Sequence, residues 1–373
     1  MRLFSIAALA AAIVASPAVA APDPAAGLQA LRELNLVVFD TLTTNGQEVE
    51  GRTFVGTLAA ANFTNFGIGN STQGAASSNF DVLSVVGNAT GSFRLKAGYA
   101  NGTNGTVGTT ARVGGNVGSV DFNTTGGATG ALVAGGNLTD SFNINNNSVR
   151  YGGTAVGGLN GAVKDSSLAA GGANDVAAGL QLQMSALQAN LTGLSNLLAT
   201  MPSLGTITST ANALDYSGAQ NGYAVFTMTE AAFENQNANF DMLFTGLPSG
   251  MTTIINVLGT NLVEQGNINN KLLNQSVIWN FSQAETLSLK GFHGSILAPN
   301  ATVSNSSALE GSIVARNFTL NGEIHLGTFN GTGNFVPPPS GVPEPATWAM
   351  LLMGIGSLGA VARRRRDRAV VAA

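Results

Sequence analysis

Gly294-Ser-Ile-Leu-Ala-Pro-Asn300 returns, shifted by 17 residues, as Gly311-Ser-Ile-Val-Ala-Arg-Asn317. A glycine, an apolar stretch and a closing asparagine at a short fixed shift describe one coil laid on the next. Upstream, Val85-Val-Gly-Asn-Ala89, Val113-Gly-Gly-Asn-Val117 and Ala134-Gly-Gly-Asn-Leu138 resemble one another, their asparagines 28 and then 21 residues apart. Such loose repeats predict stacked coils of two or three short strands, with Gly or Asn at corners that take positive φ. Ile296, Ile313 and Phe318 are then inward residues that stack from coil to coil. The expected fold is mainly β, a β-solenoid; a β-sandwich is the alternative, since it too fits short strands bounded by glycine.

Outward from these repeats, Leu34–Leu42 reads as a strand, and the region 223–285 as further strands, strongest at Ile254–Val257 and Val277–Phe281. One segment breaks the pattern. From Asn174 to Thr200, Leu180, Met184, Leu187, Leu191, Leu194 and Leu198 fall at steps of three and four, which is one helical stripe. Gly171-Gly172 precede it and Pro202 follows. A single helix, 174–200, lying along the side of the β body is predicted. No interdomain linker interrupts 21–335, so this stretch is expected to be one domain, followed by a Pro-rich spacer, 336–341.

The composition suits such a body. Of 373 residues, 48 are glycine, only 10% are charged and none is cysteine, against about 25% charged in an ordinary domain. Without cysteine there are no disulfides, zinc–thiolate sites or thiol chemistry. Setting both chain ends aside leaves ten basic and eighteen acidic residues, a net charge of about −8. No basic patch remains, which argues against a nucleic-acid partner.

Both ends carry export signals. Arg2 precedes the apolar run Leu3–Val14, then Ser16-Pro17 and Ala18-Val-Ala20. This is a secretory signal peptide over residues 1–20, with Ala18 and Ala20 marking the signal peptidase site. At the other end stand Val342-Pro343-Glu344-Pro345, the uncharged, mostly apolar stretch Ala346–Ala362, and Arg363, Arg364, Arg365 and Arg366. Seventeen helical residues span only about 25 Å, marginal against about 30 Å of hydrocarbon, and the arginines stop transfer on the cytoplasmic side. Pro-Glu-Pro, short apolar helix and arginine cluster together resemble the PEP-CTERM sorting signal, here a tail of residues 342–373. That resemblance implies an exosortase-type membrane protease, transient inner-membrane anchoring through a transmembrane helix at 346–362, and delivery to the surface or matrix of a Gram-negative bacterium that makes exopolysaccharide.

Motifs for chemistry are sparse. The two histidines are His293 and His325. Glu323 and His325 share a side if that stretch is a strand, which suits the capping of the last coils better than metal binding. The sequence has no nucleophile elbow, P-loop or dinucleotide fingerprint, and its carboxylates are too scattered for a calcium loop. Asn-x-Ser/Thr triplets, at Asn88, Asn137, Asn300 and Asn317 among others, read as turn composition. No catalytic, cofactor or metal residues are assigned.

Gly51-Arg-Thr-Phe-Val-Gly56, Val113-Gly-Gly-Asn116, the helix, Ile254–Val257, Trp279-Asn-Phe281, Ser295-Ile-Leu-Ala-Pro-Asn-Ala301, Gly322-Glu-Ile-His325 and Phe329 occur in that order. Over most of 30–335 this resembles the choice-of-anchor A family of bacterial surface proteins. The resemblance implies an adhesin-like β-helical domain with a helix alongside, and it supplies no catalytic residues. The expected function is a non-enzymatic, exported surface or biofilm-matrix protein, adhesive or polysaccharide-associated. Its expected partner is an exopolysaccharide or another cell surface, met by a broad, neutral, Thr/Asn/Ser-rich face of the solenoid. An ice-binding solenoid is the alternative, favoured by regular Thr-x-Thr ladders; Thr109-Thr110 and Thr124-Thr125 are too irregular to supply them. A polysaccharide-processing enzyme is a third reading, marked by a cleft lined with paired carboxylates.

Overall fold

The first strand, β1 (Leu36–Thr44), sits in the middle of the stack and not at its end. One edge pairs with Thr53–Phe66 and the other with Ile313–Leu320, more than 250 residues away, both in parallel. The computed structural model describes residues 21–69, 75–97, 108–124, 128–157, 159, 161–209, 213–235 and 243–335. The signal peptide with Ala18 and Ala20, the spacer 336–341 and the whole tail lie outside the described residues. So does Thr125.

From Thr53–Phe66 the coils run outward through Leu83–Val85, Gly108–Val113, Thr129–Ala134 and Ser148–Tyr151 to Val163–Lys164. A second series starts at Thr206–Ile207. It returns through Tyr223–Met228, Thr252–Val257, Val277–Asn280 and Ser295–Asn305 to Ile313–Leu320, beside β1. Two half-solenoids thus meet on the first strand. Every ladder between these strands is parallel, which overturns the sandwich alternative, since sandwiches are built of antiparallel strands. The shift of 17 residues is realised: Ile296 pairs with Ile313. Asn35 pins the seam. Its buried side-chain amide donates to the carbonyls of Gly311 (2.5 Å) and His325 (2.9 Å) in one half and accepts from the Gly51 N–H (2.9 Å) in the other.

Each full coil has three sides. On the first, Leu36–Val38, Phe54, Ile254, Ile278, Leu297 and Val314 are buried, as are the residues beside them that face the interior. Strands covered on both sides read as continuous apolar runs, which is why these were the legible ones. The outer cover is helical. α1 (Pro24–Glu33) was not foreseen; Asp23 caps it, accepting from the N–H groups of Ala25 and Ala26, and Pro24 fixes its first turn. α2 runs Val176–Thr200, starting two residues later than expected because Asp175 is its cap. All six stripe residues, five leucines and one methionine, are buried, Leu191, Leu194 and Leu198 completely.

α2 bridges the halves. Ala177 lies against Gly114 of one series, and the Leu198 carbonyl accepts from Asn256 Nδ2 (2.8 Å) of the other. These residues are about 32 Å apart along a helix, close to the seven or so rungs of about 4.8 Å between those strands. Beneath the helix, Ser195 Oγ donates to Asn280 Oδ1 (2.6 Å), and Asn280 Nδ2 donates to Asn256 Oδ1 (2.8 Å). Buried amides are thereby satisfied. α3 (Glu230–Glu234) packs at the far end, where Glu234 accepts from the Val263 N–H (3.1 Å). Among the described residues no helix is long and apolar enough to cross a membrane.

Candidate adhesive face

On the second side the residues alternate: one in, one out. Leu42, Leu58, Ala89, Val117, Leu138, Phe318, Val303, Leu287 and Leu262 point inward and are buried. Their outward neighbours line up by register. One column reads Asn261, Thr286, Thr302, Asn317, Thr41, Thr57, Asn88, Asn116, Asn137 and Thr154. The second reads Val263, Ser288, Ser304, Thr319, Thr43, Ala59 and Thr90, and beyond a register shift between Ala89 and Ser92 it continues through Gly118, Thr139 and Val156. All are exposed or half-exposed except Gly118. Neither column contains an ionisable residue.

The geometry follows from the backbone. Rungs lie about 4.8 Å apart along the stack, and the columns about 6.6 Å apart across it, so the face extends for about 43 Å. Apart from the register shift between Ala89 and Ser92, each column repeats one pleat position, which keeps the face flat. Side chains stiffen it: Thr41 Oγ1 and Thr57 Oγ1 are 3.0 Å apart, and Thr286 Oγ1 donates to Asn261 Oδ1 at 2.9 Å.

The Gly-Gly-Asn corners belong to this ladder. Asn88 Oδ1 accepts from the Asn116 N–H (2.8 Å), Asn116 Oδ1 from the Asn137 N–H (2.9 Å), and Asn137 Oδ1 from the Thr154 N–H (2.7 Å). The expectation of positive φ at these corners is not met: Gly114, Gly115, Gly135 and Gly136 have none. They are glycine for room. A Cβ on Gly136 would stand 2.6 Å from Asn116 Oδ1, and one on Gly114 would stand 2.7 Å from Ala177 of α2.

The third side gathers the charge. Phe292, Leu309, Ile324 and Val49 point inward. Beside them His293, Glu310, His325 and Glu50 form an alternating row across the seam. His325 Nε2 lies 2.9 Å from Glu323, and its Nδ1 lies 3.5 Å from Glu310. The hydrogen bond to Glu310 outweighs burial and holds the His325 imidazole up at about 9. Burial pushes the Glu310 carboxyl up; hydrogen bonds from His325 and Asn274 and the charge of His293 overcome this and hold it at about 2. Glu323 and His325 do share a side. They close the last coil of the sequence, yet that coil stands mid-stack, so they join the halves and cap nothing. Among the described residues no group of three or more His, Cys, Asp or Glu is arranged to hold a metal ion.

Known protein families agree with this picture. The family described as “Putative Ice-binding-like adhesive domain” matches residues 100–326, more than half of the chain. The chain belongs to this family. A second match, to the PEP-CTERM protein-sorting motif, covers residues 341–366. No curated protein and no solved structure matches the chain. An ice-binding-like adhesive domain joined to a PEP-CTERM motif makes this an exported, adhesive protein of the Gram-negative cell surface, and the motif implies processing by an exosortase-type protease.

The sorting residues Val342–Pro345 and Arg363–Arg366 lie outside the described residues. A neutral Thr/Asn/Ser-rich face was expected; which residues build it, and their two-column register, is what sequence reasoning missed, although the signal was present. Asn88-Ala-Thr90, Asn137-Leu-Thr139 and Asn317-Phe-Thr319 are out–in–out rungs, whereas they read as turn composition. The adjacent pairs Thr109-Thr110 and Thr124-Thr125 have the wrong period for a strand face.

Proposed function

We propose that the second side is the adhesive surface, and that it docks on an extended, neutral, hydroxyl-rich target, an exopolysaccharide or the surface of a neighbouring cell. The observation that carries this is the pair of uncharged columns, one built wholly of Thr and Asn and the other mostly of Ser and Thr. A flat lattice of fixed donors and acceptors loses little side-chain entropy on contact, and many weak contacts add up along about 43 Å of stack. Ice is the second reading, favoured by Thr41-Leu-Thr43 and the in-register threonines beside it. Placing Tyr at Thr43, Thr302 and Thr90 breaks the flatness without touching the core. Binding to isolated host exopolysaccharide should fall at least tenfold, about 1.4 kcal/mol, with melting unchanged. Unaltered binding to polysaccharide, cells and ice would reject the face.

The choice-of-anchor A resemblance supports the same adhesive reading for residues 21–335. In this scheme signal peptidase cuts after Ala20. Ala346–Ala362 then holds the protein briefly in the inner membrane, with Arg363–Arg366 in the cytoplasm, until cleavage near Val342–Pro345 frees the body for the surface or matrix. Mass spectrometry of the surface form decides: a C-terminus intact through Ala373 would leave a plain anchor.

A further inference from the structure

A hollow of about 650 Å³ lies on the helical side of the molecule, away from the adhesive face, between α1, α2 and the bend at Ser77–Phe80. Its size falls within the range that holds a small ligand. Ala30 and Leu187, both nearly buried, contribute apolar lining. Phe80 forms part of the wall, half-buried, its ring held edge-on against Phe54 with centroids 5.8 Å apart. Around them stand Glu33, Asn79 and Gln183. The Glu33 carboxylate is fixed by Gln29 Nε2 and Ser78 Oγ, each at 2.6 Å. The side-chain amides of Asn79 and Gln183 are exposed and make no protein hydrogen bond among the described residues.

We propose that this hollow binds one or two residues of a neutral saccharide. An apolar lining with one ring wall suits the C–H faces of a sugar. Paired donor–acceptor amides and a pre-oriented carboxylate suit adjacent hydroxyls, each of which both donates and accepts. Charge narrows the class. Among the described residues no lysine or arginine lines the hollow. The nearby Arg52 is buried and gives its guanidinium to the carbonyls of Glu33 and Ala76. The charge a phosphate or uronate would meet there is therefore the repelling carboxylate of Glu33. The assignment is independent of the flat face: it adds a pocket that reads a few sugar units to a surface that reads an extended one.

Saturation-transfer NMR on the purified exported protein tests it, with cellobiose, diacetylchitobiose and maltose as neutral probes and glucuronate as the charged one. At least one neutral disaccharide should receive saturation. Ala186→Trp, at an exposed helical position lining the hollow, should weaken its binding at least tenfold with unchanged melting. Thr43→Tyr on the flat face should leave it unaltered. If the tryptophan variant fails to fold, the double change Asn79→Ala, Gln183→Ala should show the same loss. No transfer to any neutral probe at millimolar concentration, stronger transfer to glucuronate, or binding that survives the hollow variants would overturn the proposal.

Discussion

Gly27 and Gly179 are both helical glycines, and the structure assigns opposite signs to replacing them with alanine. By helix propensity alone each change should stabilise by about 1 kcal/mol. Gly179, on α2, has nothing within 4 Å of where its Cβ would stand. Gly27, buried in α1, lies where the two helices cross: its added Cβ would stand 2.5 Å from the Asn190 carbonyl oxygen and 3.1 Å from Leu194 Cβ. The neighbour is backbone, so the helices must part by several tenths of an ångström. Overpacking of that kind costs about 1–3 kcal/mol, and parting the helices loosens the packing over the stripe as well. The net expectation is Gly179→Ala stabilised by about 1 kcal/mol and Gly27→Ala destabilised by about 1–2 kcal/mol. At about 2–4 °C per kcal/mol for a domain of this size, the two melting points should separate by about 4–12 °C. Reversible thermal or urea unfolding measures this. A Gly27→Ala protein melting at or above the parent would refute the close crossing and with it the packing assigned to α1.

Two further outcomes follow from buried groups. Glu264 points into the core at 1% exposure, with one oxygen accepting from the Lys290 N–H (2.6 Å) and the other without a partner among the described residues; burial pushes its carboxyl up to about 8. The folded state therefore keeps a proton that the unfolded chain releases near 4.5, so stability should fall as pH rises from 4.5 to 8, by up to about 5 kcal/mol, and level off above. Glu264→Gln should flatten that slope in urea titrations across pH, and an unchanged slope would count against the buried acid. Leu187→Asp and Leu191→Asp should each cost about 4 kcal/mol or more, by placing a charge in the stripe between α2 and the sheet, while Gln188→Asp on the exposed side stays within about 0.5 kcal/mol; parent-like melting of both leucine variants would show that the stripe is not core.

What the sequence displayed, and what it hid, follows from which partners are near in the chain. The coil pair Ile296–Ile313 and the corners at Asn88, Asn116 and Asn137 were legible because neighbouring coils are neighbouring in sequence. The stripe Leu180–Leu198 was legible because a helix face has its own period. The adhesive columns were harder. Each rung contributes only a triplet such as Asn317-Phe-Thr319, and the columns cross the seam, where Thr43 pairs with Thr319. No local pattern encodes a pairing of that range. α1 escaped because its ten residues carry little periodicity, and because its stability comes from the Asp23 cap and from α2. The Gly-Gly corners were placed correctly for the wrong reason: crowding by the next coil, and not backbone handedness, selects glycine there.

The central position of β1 has a consequence for the order of assembly. A chain exported from its N-terminus delivers β1 first, and Thr53–Phe66 can pair with one of its edges almost at once. The other edge must wait for Ile313–Leu320, with nearly the whole body still to cross the membrane. During that interval the half-built protein carries an open, apolar strand edge, the kind that templates association with other chains. That edge stays open until the closing strand arrives, and the last coils to emerge are the ones that lock the molecule shut.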